Sequence, residues 1–314
     1  STNNKVVIVY SDGNNGTSGT AIVGTVSGTA ISFGTSAVFN QNTDITAVTF
    51  DSNSSKVVIA FRDVTGSYYL AAIVGTVSGT SISFGSKVVF STSQFSDSLS
   101  TVFDSTNNKI VIAYSDAGNS NYGTAIVGTV SGTSISFGTP VVFDNTGVTS
   151  YIAVTHDTYS GKTVVFYRDG GNSGYGTAIV GTVSGTGATG TISFTSPTVF
   201  ESASTNYIAA TFDTANNTTA IAYKDSGNSS YGTAVTFATK SSNFASFIGI
   251  TDQAISDTAT GSVTIKGGIS TNVTGLTPNT DYYVQADGTL STATSTVLAG
   301  KALSATSINL DYTT

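Results

Sequence analysis

Apolar residues in this chain fall in short runs dense in Val, Ile, Phe and Tyr, each broken by a cluster of Gly, Ser, Thr, Asn or Asp. That alternation predicts β-strands separated by tight turns. The stretch from Leu99 to Phe143 shows the unit most clearly. LSTVFD reads as one strand, and a turn at residues 105–108 follows it. KIVIAYSD reads as a second strand, ending in the loop AGNSNYG. TAIVGTVSG reads as a third, closed by a hairpin at Ser131-Gly132. SISFGTPVVF reads as a fourth, bent or bulged at Gly138. Along the second strand, Ile110, Ile112 and Tyr114 fall on one face and Val111 and Ala113 on the other. Both faces are apolar, so the sheet must be covered on both sides.

The unit repeats. GTVSGT begins at Gly24, Gly75, Gly128 and Gly181, at intervals of 51, 53 and 53 residues. An aromatic-x-Asp tripeptide recurs with it and ends on Asp12, Asp63, Asp116, Asp169 and Asp225; the longer last interval reflects a small loop insertion at residues 187–190. Four-stranded sheets stacked face to face around an axis make a β-propeller, and a unit of about 50 residues fits one blade. The expected fold is therefore all-β, a propeller of about five visible blades, with a β-solenoid or a string of sandwiches as alternatives. The small residues Ala113, Ala125 and Gly128 are expected to let neighbouring blades approach closely.

The first and last blades read as incomplete. STNNKVVIVYSD at the start aligns with STNNKIVIAYSD from Ser105, so the first strand of unit 1 is not in the sequence. The fifth unit loses its fourth strand. Either five blades close by sharing strands across the termini, or further blades precede residue 1. Met is absent even at position 1, consistent with a removed initiator, processing, or a start partway through a longer protein. The propeller is assigned to residues 1–240. A small all-β domain for attachment or oligomerisation is assigned to 241–314, with strands at SFIGIT, GSVTIK, DYYVQ, TVLAG and ATSINL.

Composition narrows the function. Charged residues are 9% of the chain, against about 25% in ordinary soluble domains. Solubility must come from neutral hydrogen-bonding groups, which salt affects little, and this suits an extracellular or virion surface. The net charge is −7 and the eleven basic residues are scattered, which argues against a nucleic-acid partner. No apolar run is long enough for a membrane-spanning helix. Without Cys there is no disulfide framework and no thiol chemistry.

Catalytic chemistry finds little to work with. The D-x-G steps at Asp116, Asp169 and Asp225 loosely resemble the Asp box of sialidases, but an aromatic follows at six positions where the box has Trp at five. Arg62 and Arg168 are the only arginines, one too few for the triad that grips a sialic-acid carboxylate. Other glycosidases need two carboxylates in different environments, and Glu201 is the only Glu. His156, the only His, stands where Phe50, Phe103 and Phe212 stand in other units and reads as a substituted core aromatic. The expectation is a non-enzyme with no required cofactor.

Two binding readings remain. Calcium is conceivable at Asp116 with Asn119 and Asn121, since such loops offer several oxygens; the plainer reading is that each repeated Asp accepts N–H bonds within its own turn. Glycan binding is conceivable at Tyr69 (or Tyr68), Tyr122, Tyr175 and Tyr231 with Asn119, Asn172 and Asn228. An aromatic face beside neutral hydrogen-bonding groups suits a saccharide, and repetition adds avidity; the plainer reading is that each Tyr caps its own blade.

The sequence FIGITDQAISDTATGSVTIKGG, then GLTPNTDYYVQADGTLSTA and VLAGKALSATSINL, resembles the C-terminal module of tail-fibre and head-fibre-like proteins of marine bacteriophages. The repeat core YxDxGNSxYGTAIVGTVSGTSISFG resembles repeats in the same proteins. The resemblance implies a homo-oligomeric virion-surface component, in contact with other virion proteins and with host surface polysaccharide, and it brings no catalytic residues. A secreted bacterial adhesin or glycan-binding propeller is the alternative. Separately, GLTPNTDYYV resembles the stretch leading to the tyrosine corner of fibronectin type III domains.

Overall fold

A computed structural model describes residues 4–65, 68–92, 98–185, 187, 190–239, 249–253, 262–265, 267–284, 289–292 and 298–310. The chain divides into two compact units, Ser1–Thr239 and Lys240–Thr314.

The first of these holds the repeats. In unit 3, Leu99–Asp104, Lys109–Asp116 and Tyr122–Ser131 pair antiparallel in that order. The fourth position is filled by two short strands, Ser134–Phe137 and Val141–Asp144, both paired with Tyr122–Ser131. The break at Gly138 read from the sequence is the gap between them. The hairpin turn is Gly132-Thr133, with Ser131 paired to Ser134 and Gly132 at φ +62°, one residue later than read. Unit 2 repeats the plan with Thr43–Asp51, Lys56–Asp63, Tyr69–Ser78, Ser81–Phe84 and Val88–Ser91. Unit 4 does so with Thr149–Asp157, Lys162–Asp169, Tyr175–Ser184 and Thr191–Phe194.

The two end units differ. Unit 1 comprises Lys5–Asp12, Ser18–Ser27, Ala30–Phe33 and Ala37–Asn40, beginning at the second-strand position. One 16-residue strand, Thr198–Asp213, completes unit 4 and opens unit 5, where Thr218–Asp225 and Tyr231–Phe237 follow. Units 4 and 5 thus share a seven-stranded sheet. No α-helix occurs among the described residues, and none of the sheets closes on itself. The chain is all-β with antiparallel sheets, as read; these sheets do not establish closure into a propeller.

Face alternation decides which core each residue joins. Ile110, Ile112 and Tyr114 pack with Val58, Ala60, Leu70 and Val74 of unit 2. Val111 and Ala113, one residue out of phase, pack with Val165, Tyr167 and Ile192 of unit 4. The sheets of units 2 to 4 each lie between two neighbours, which is why their second strands have no polar face; in unit 5 the second strand alternates buried and exposed.

An aromatic ladder ties consecutive units. Phe39, in the broken strand of unit 1, meets Phe61 and Phe84 of unit 2 at ring-centroid distances of 5.2 and 5.8 Å. Phe90 meets Tyr114 and Phe137 at 5.6 and 5.2 Å, and Phe143 meets Tyr167 and Phe194 at 5.3 and 5.6 Å. Phe200 meets Tyr223 of unit 5 at 5.5 Å and Phe166 of its own unit at 6.1 Å; no fourth strand of unit 5 is described that could supply a second ring from that side. Edge-to-face pairs of this kind add about 0.5–1.5 kcal/mol beyond the area they bury.

Glycines set the spacing at the outer edge. A Cβ on Gly34, Gly85 or Gly138 would lie 2.1, 1.9 or 2.0 Å from the backbone carbonyl oxygen of Thr80, Thr133 or Gly190 in the hairpin of the next unit. Unit 4 carries Thr195 at this position, facing unit 5, where no such hairpin is described. Gly128 acts differently from the expectation. A Cβ there would meet Ile135 at 2.8 Å and Phe137 at 2.9 Å, so it makes room for the fourth strand of its own sheet, not for a neighbouring one.

In Lys240–Thr314, Gly249–Thr251 pairs with Val263–Ile265. A five-stranded sheet has the order Ile269–Ser270, Ser307–Leu310, Leu298–Ser304, Asp281–Val284, Leu290–Ser291. Its core gathers Leu276, Tyr282, Val284, Ala299, Ile308 and Leu310. Tyr282 is buried and its hydroxyl accepts the N–H of Thr277 at 2.9 Å. This is the local contact of a tyrosine corner.

Candidate functional site

The end of each sheet between the second and third strands carries the loops singled out by sequence. Their conformation follows from the repeated Asp. Asp12 accepts the N–H of Asn14 at 3.0 Å, Asp63 that of Thr65 at 3.0 Å, and Asp116 that of Gly118 at 3.1 Å. Asp169 accepts from Asn172 at 3.1 Å, and Asp225 from Gly227 and Asn228 at 2.8 and 3.2 Å. In units 1, 3 and 4 the capped segment is one 3₁₀ turn, closed by a left-handed residue at Gly16, Ser120 or Ser173. The carboxylate satisfies N–H groups that the turn leaves without backbone partners.

The loops are also bonded across units. Thr43 donates its N–H to Thr17 O at 2.7 Å, Thr149 to Asn121 O at 3.0 Å, and Thr205 to Gly174 O at 3.0 Å, each joining a loop to the first strand of the next unit. Side chains add to this. Asn40 of unit 1 donates to Asp63 of unit 2 at 3.1 Å, and Lys87 also bonds Asp63. Burial alone would raise the Asp63 carboxyl, but hydrogen bonds from Lys87, Thr65 and Asn40 outweigh it and bring the pKa to about 2. The Thr146 hydroxyl lies within hydrogen-bond distance of Asp144 of unit 3 and Asp169 of unit 4, at 2.7 and 3.0 Å, and shares its one proton between them. Glu201 accepts from the Tyr223 hydroxyl of unit 5 at 2.9 Å. Arg62 is held by Asp44 through its Nε at 2.8 Å and lies 5.9 Å from the Tyr68 ring.

Asn119, Asn172 and Asn228 are exposed at this end. Tyr69, Tyr122 and Tyr175 begin the third strands of units 2, 3 and 4 and are half-buried. Tyr231 is 66% exposed, because it starts an edge strand. For the calcium reading, Asp116 caps its own turn while the Asn121 carbonyl accepts from Thr149. Among the described residues no group of three or more His, Cys, Asp or Glu side chains is arranged so that it could hold a metal ion.

A second Asp series sits at the opposite end, and sequence reasoning passed over it. Asp51, Asp104, Asp157 and Asp213 each accept two N–H groups of the turn between first and second strands. The D-x₄-K spacing of Asp51–Lys56, Asp104–Lys109 and Asp157–Lys162 was the available signal. Each lysine in turn donates to a Thr on the third strand, as in Lys109 to Thr129 at 3.0 Å.

At this end a cavity of about 460 Å³ is lined by Phe50, Phe103, His156 and Phe212, the same position in four successive units. His156 is 6% exposed. Its Nε2 lies 3.2 Å from Thr106 Oγ1 and 3.5 Å from Asp104 Oδ1. Burial lowers its pKa below the ordinary value, and the opposing pull of Asp104 and Asp157 does not compensate. The unfolded chain, with an imidazole near 6.5, therefore binds a proton at a higher pH than the folded one. Stability from this group is complete above that value and falls as pH drops through it. Urea unfolding at pH 7.5 and 5.5 is expected to show a smaller acid-induced drop in midpoint for His156→Phe than for the wild type. An equal drop in both would assign the pH dependence elsewhere.

What the arrangement offers chemically is a row of rigid, neutral hydrogen-bonding loops, with the carboxylates engaged in holding turns. Neither the comparison with protein-family models nor that with curated proteins finds a match to this chain.

Proposed function

We propose that this chain is a non-enzymatic surface component of a phage virion, a propeller-type scaffold whose loops contact host surface polysaccharide. The observation that carries the reading is the Asp-capped loop of every unit, cross-bonded through the backbone to the next unit in units 1, 3 and 4 and presenting an exposed Asn beside a Tyr in units 3, 4 and 5. Loops held this way lose little freedom on binding, so weak contacts repeated along the array sum to useful avidity. Four successive units contribute the same position to one cavity, which supports first strands gathered about a common axis, as in a propeller. The scarcity of charge suits a surface exposed to variable salt. The C-terminal unit serves attachment to other virion proteins or homo-oligomerisation.

The test joins location to ligand. Immunogold electron microscopy of a producing culture is expected to label particles; label on cell envelopes with bare particles would replace the virion by a bacterial adhesin. On a glycan array the chain should bind bacterial surface polysaccharides. The triple variant Asn119→Ala, Asn172→Ala, Asn228→Ala, all at exposed positions, should lose at least about tenfold in apparent affinity. Unchanged binding by the folded triple variant would remove these loops from the contact.

A further inference from the structure

Three side chains meet at the boundary of units 1 and 2 in an arrangement that the sequence of the other units does not repeat. Asn40, on the last strand of unit 1, is 8% exposed. Its Oδ1 accepts from Lys87 Nζ of unit 2 at 3.1 Å, and its Nδ2 donates to Asp63 Oδ1 at 3.1 Å. Asp63 closes the triangle, because its Oδ2 is bonded to the same Lys87 Nζ. Further bonds from Nδ2 to Thr43 Oγ1 at 3.1 Å and Gln41 O at 2.6 Å fix the amide. The backbone is fixed as well. Asn40 follows Phe39, Asp63 lies two residues beyond Phe61, and Lys87 lies three beyond Phe84; Phe39 packs on both of the other rings across this boundary.

The Asp is common to all five units, but its partners are not. Ser91, Asp144 and Glu201 stand at the place of Asn40, and Ser36, Pro140 and Pro197 at the place of Lys87. A primary amine, a carboxamide and a carboxylate thus come together where the repeat is broken. An amine can displace ammonia from a carboxamide, and here both nitrogens face one carboxylate, which can take a proton from the first and return it to the second. Nζ touches Oδ1, so the amide carbon is one C=O bond, about 1.2 Å, further on. Holding the two groups in this way replaces a bimolecular encounter. We propose that Lys87 and Asn40 join in an intramolecular isopeptide bond, with Asp63 as the proton-transfer group. The Lys87 ammonium first loses a proton to solvent. The free amine then attacks Asn40 Cγ; the Nζ–Cγ bond forms and the Cγ–Nδ2 bond breaks. A second proton passes from Nζ through Asp63 to Nδ2, which leaves as ammonia, and no oxidant or co-reactant is needed. Asp63, with a pKa of about 2 despite its burial, is a carboxylate at neutral pH and so accepts that proton. So weak a base does not strip the ammonium unaided, and bond formation should quicken at alkaline pH. The product locks unit 1 to unit 2.

Mass spectrometry of the full chain, on purification or after incubation at pH 9, is expected to find it about 17 Da lighter than its sequence, the mass of the ammonia lost. Cyclisation of Asn40 to a succinimide gives the same change, so the location of the loss decides. Tryptic digestion with tandem mass spectrometry should find the segments carrying Asn40 and Lys87 joined through those side chains, with the chain uncut after Lys87. Lys87→Arg keeps the positive charge and should abolish the loss. Asp63→Asn keeps an oxygen for the Thr65 N–H and should slow the loss about a hundredfold or more. Circular dichroism checks that both variants are folded, and the wild-type digest decides the matter even if neither is. The proposal is overturned by an unchanged mass at pH 9, by a loss that persists in Lys87→Arg, or by separate Asn40 and Lys87 peptides in the digest. An equal rate in folded Asp63→Asn would overturn the role of Asp63.

Discussion

Gly85→Ala is expected to lower the unfolding free energy by about 3 kcal/mol, the upper part of the range for overpacked sites. The added methyl would stand 1.9 Å from the carbonyl oxygen of Thr133, and that oxygen belongs to a two-residue hairpin turn with no side-chain rotamer to yield. Relief requires units 2 and 3 to separate at their outer edge, which loosens Phe90 from Tyr114 and Phe137 as well. The matching control is Thr195→Ala. Thr195 holds the same position in unit 4, facing no described hairpin, and its replacement should stay within about 0.5 kcal/mol. Urea unfolding followed by circular dichroism checks both. Similar midpoints for the two variants would show that the edge contact yields easily.

Phe143→Ala should cost about 3–5 kcal/mol, the range for deleting a buried aromatic, and should change the form of the transition as well as its midpoint. Phe143 is 8% exposed and touches Tyr167 and Phe194 across the boundary between units 3 and 4. In a linear array, stability is approximately a sum of unit and interface terms, so a weakened interface lets its two sides unfold separately. Hydrogen exchange resolved by unit is the decisive readout. The variant should show units 4 and 5 exchanging apart from units 1 to 3, while a single loss of protection across the array would mean that the interface is not where cooperativity resides.

The strands themselves were legible because β-branched and aromatic runs in this chain are punctuated by Gly, Asn, Asp and Ser at every turn. The two-faced burial of the second strand was legible for the same reason, and Ile112 and Val111 do go to different cores. What pattern could not supply was the identity of contacts about 50 residues apart. Gly138 reads as a bend, but the reason no side chain is admitted there is the carbonyl of Gly190. Gly128 reads as a spacer between sheets, whereas it yields to Ile135 and Phe137 of its own. Phe39, Phe90, Phe143 and Phe200 look like ordinary core residues until the partner rings arrive from the next unit. At the loops, the recurrence of Asp was enough to suggest capped turns. The exposure of Tyr231 against the half-burial of Tyr122 follows from a fourth strand that pairs alongside Tyr122–Ser131 and has no described counterpart in unit 5, a difference the loss of the fourth strand from the fifth repeat already signalled.

The continuous strand Thr198–Asp213 gives the array a mechanical polarity. Where no Asn40–Lys87 bond has formed, units 1 to 3 are joined to their successors by side-chain contacts and isolated backbone hydrogen bonds such as Thr43 N–H to Thr17 O and Thr149 N–H to Asn121 O, so a pulling force can peel them away one at a time. Units 4 and 5 hold a common strand, hydrogen-bonded to unit 4 over residues 198–204 and to unit 5 over residues 205–213, so no turn separates the two. The boundary between units 4 and 5 therefore has no turn to release under load, whereas the boundaries after units 1 and 3 do.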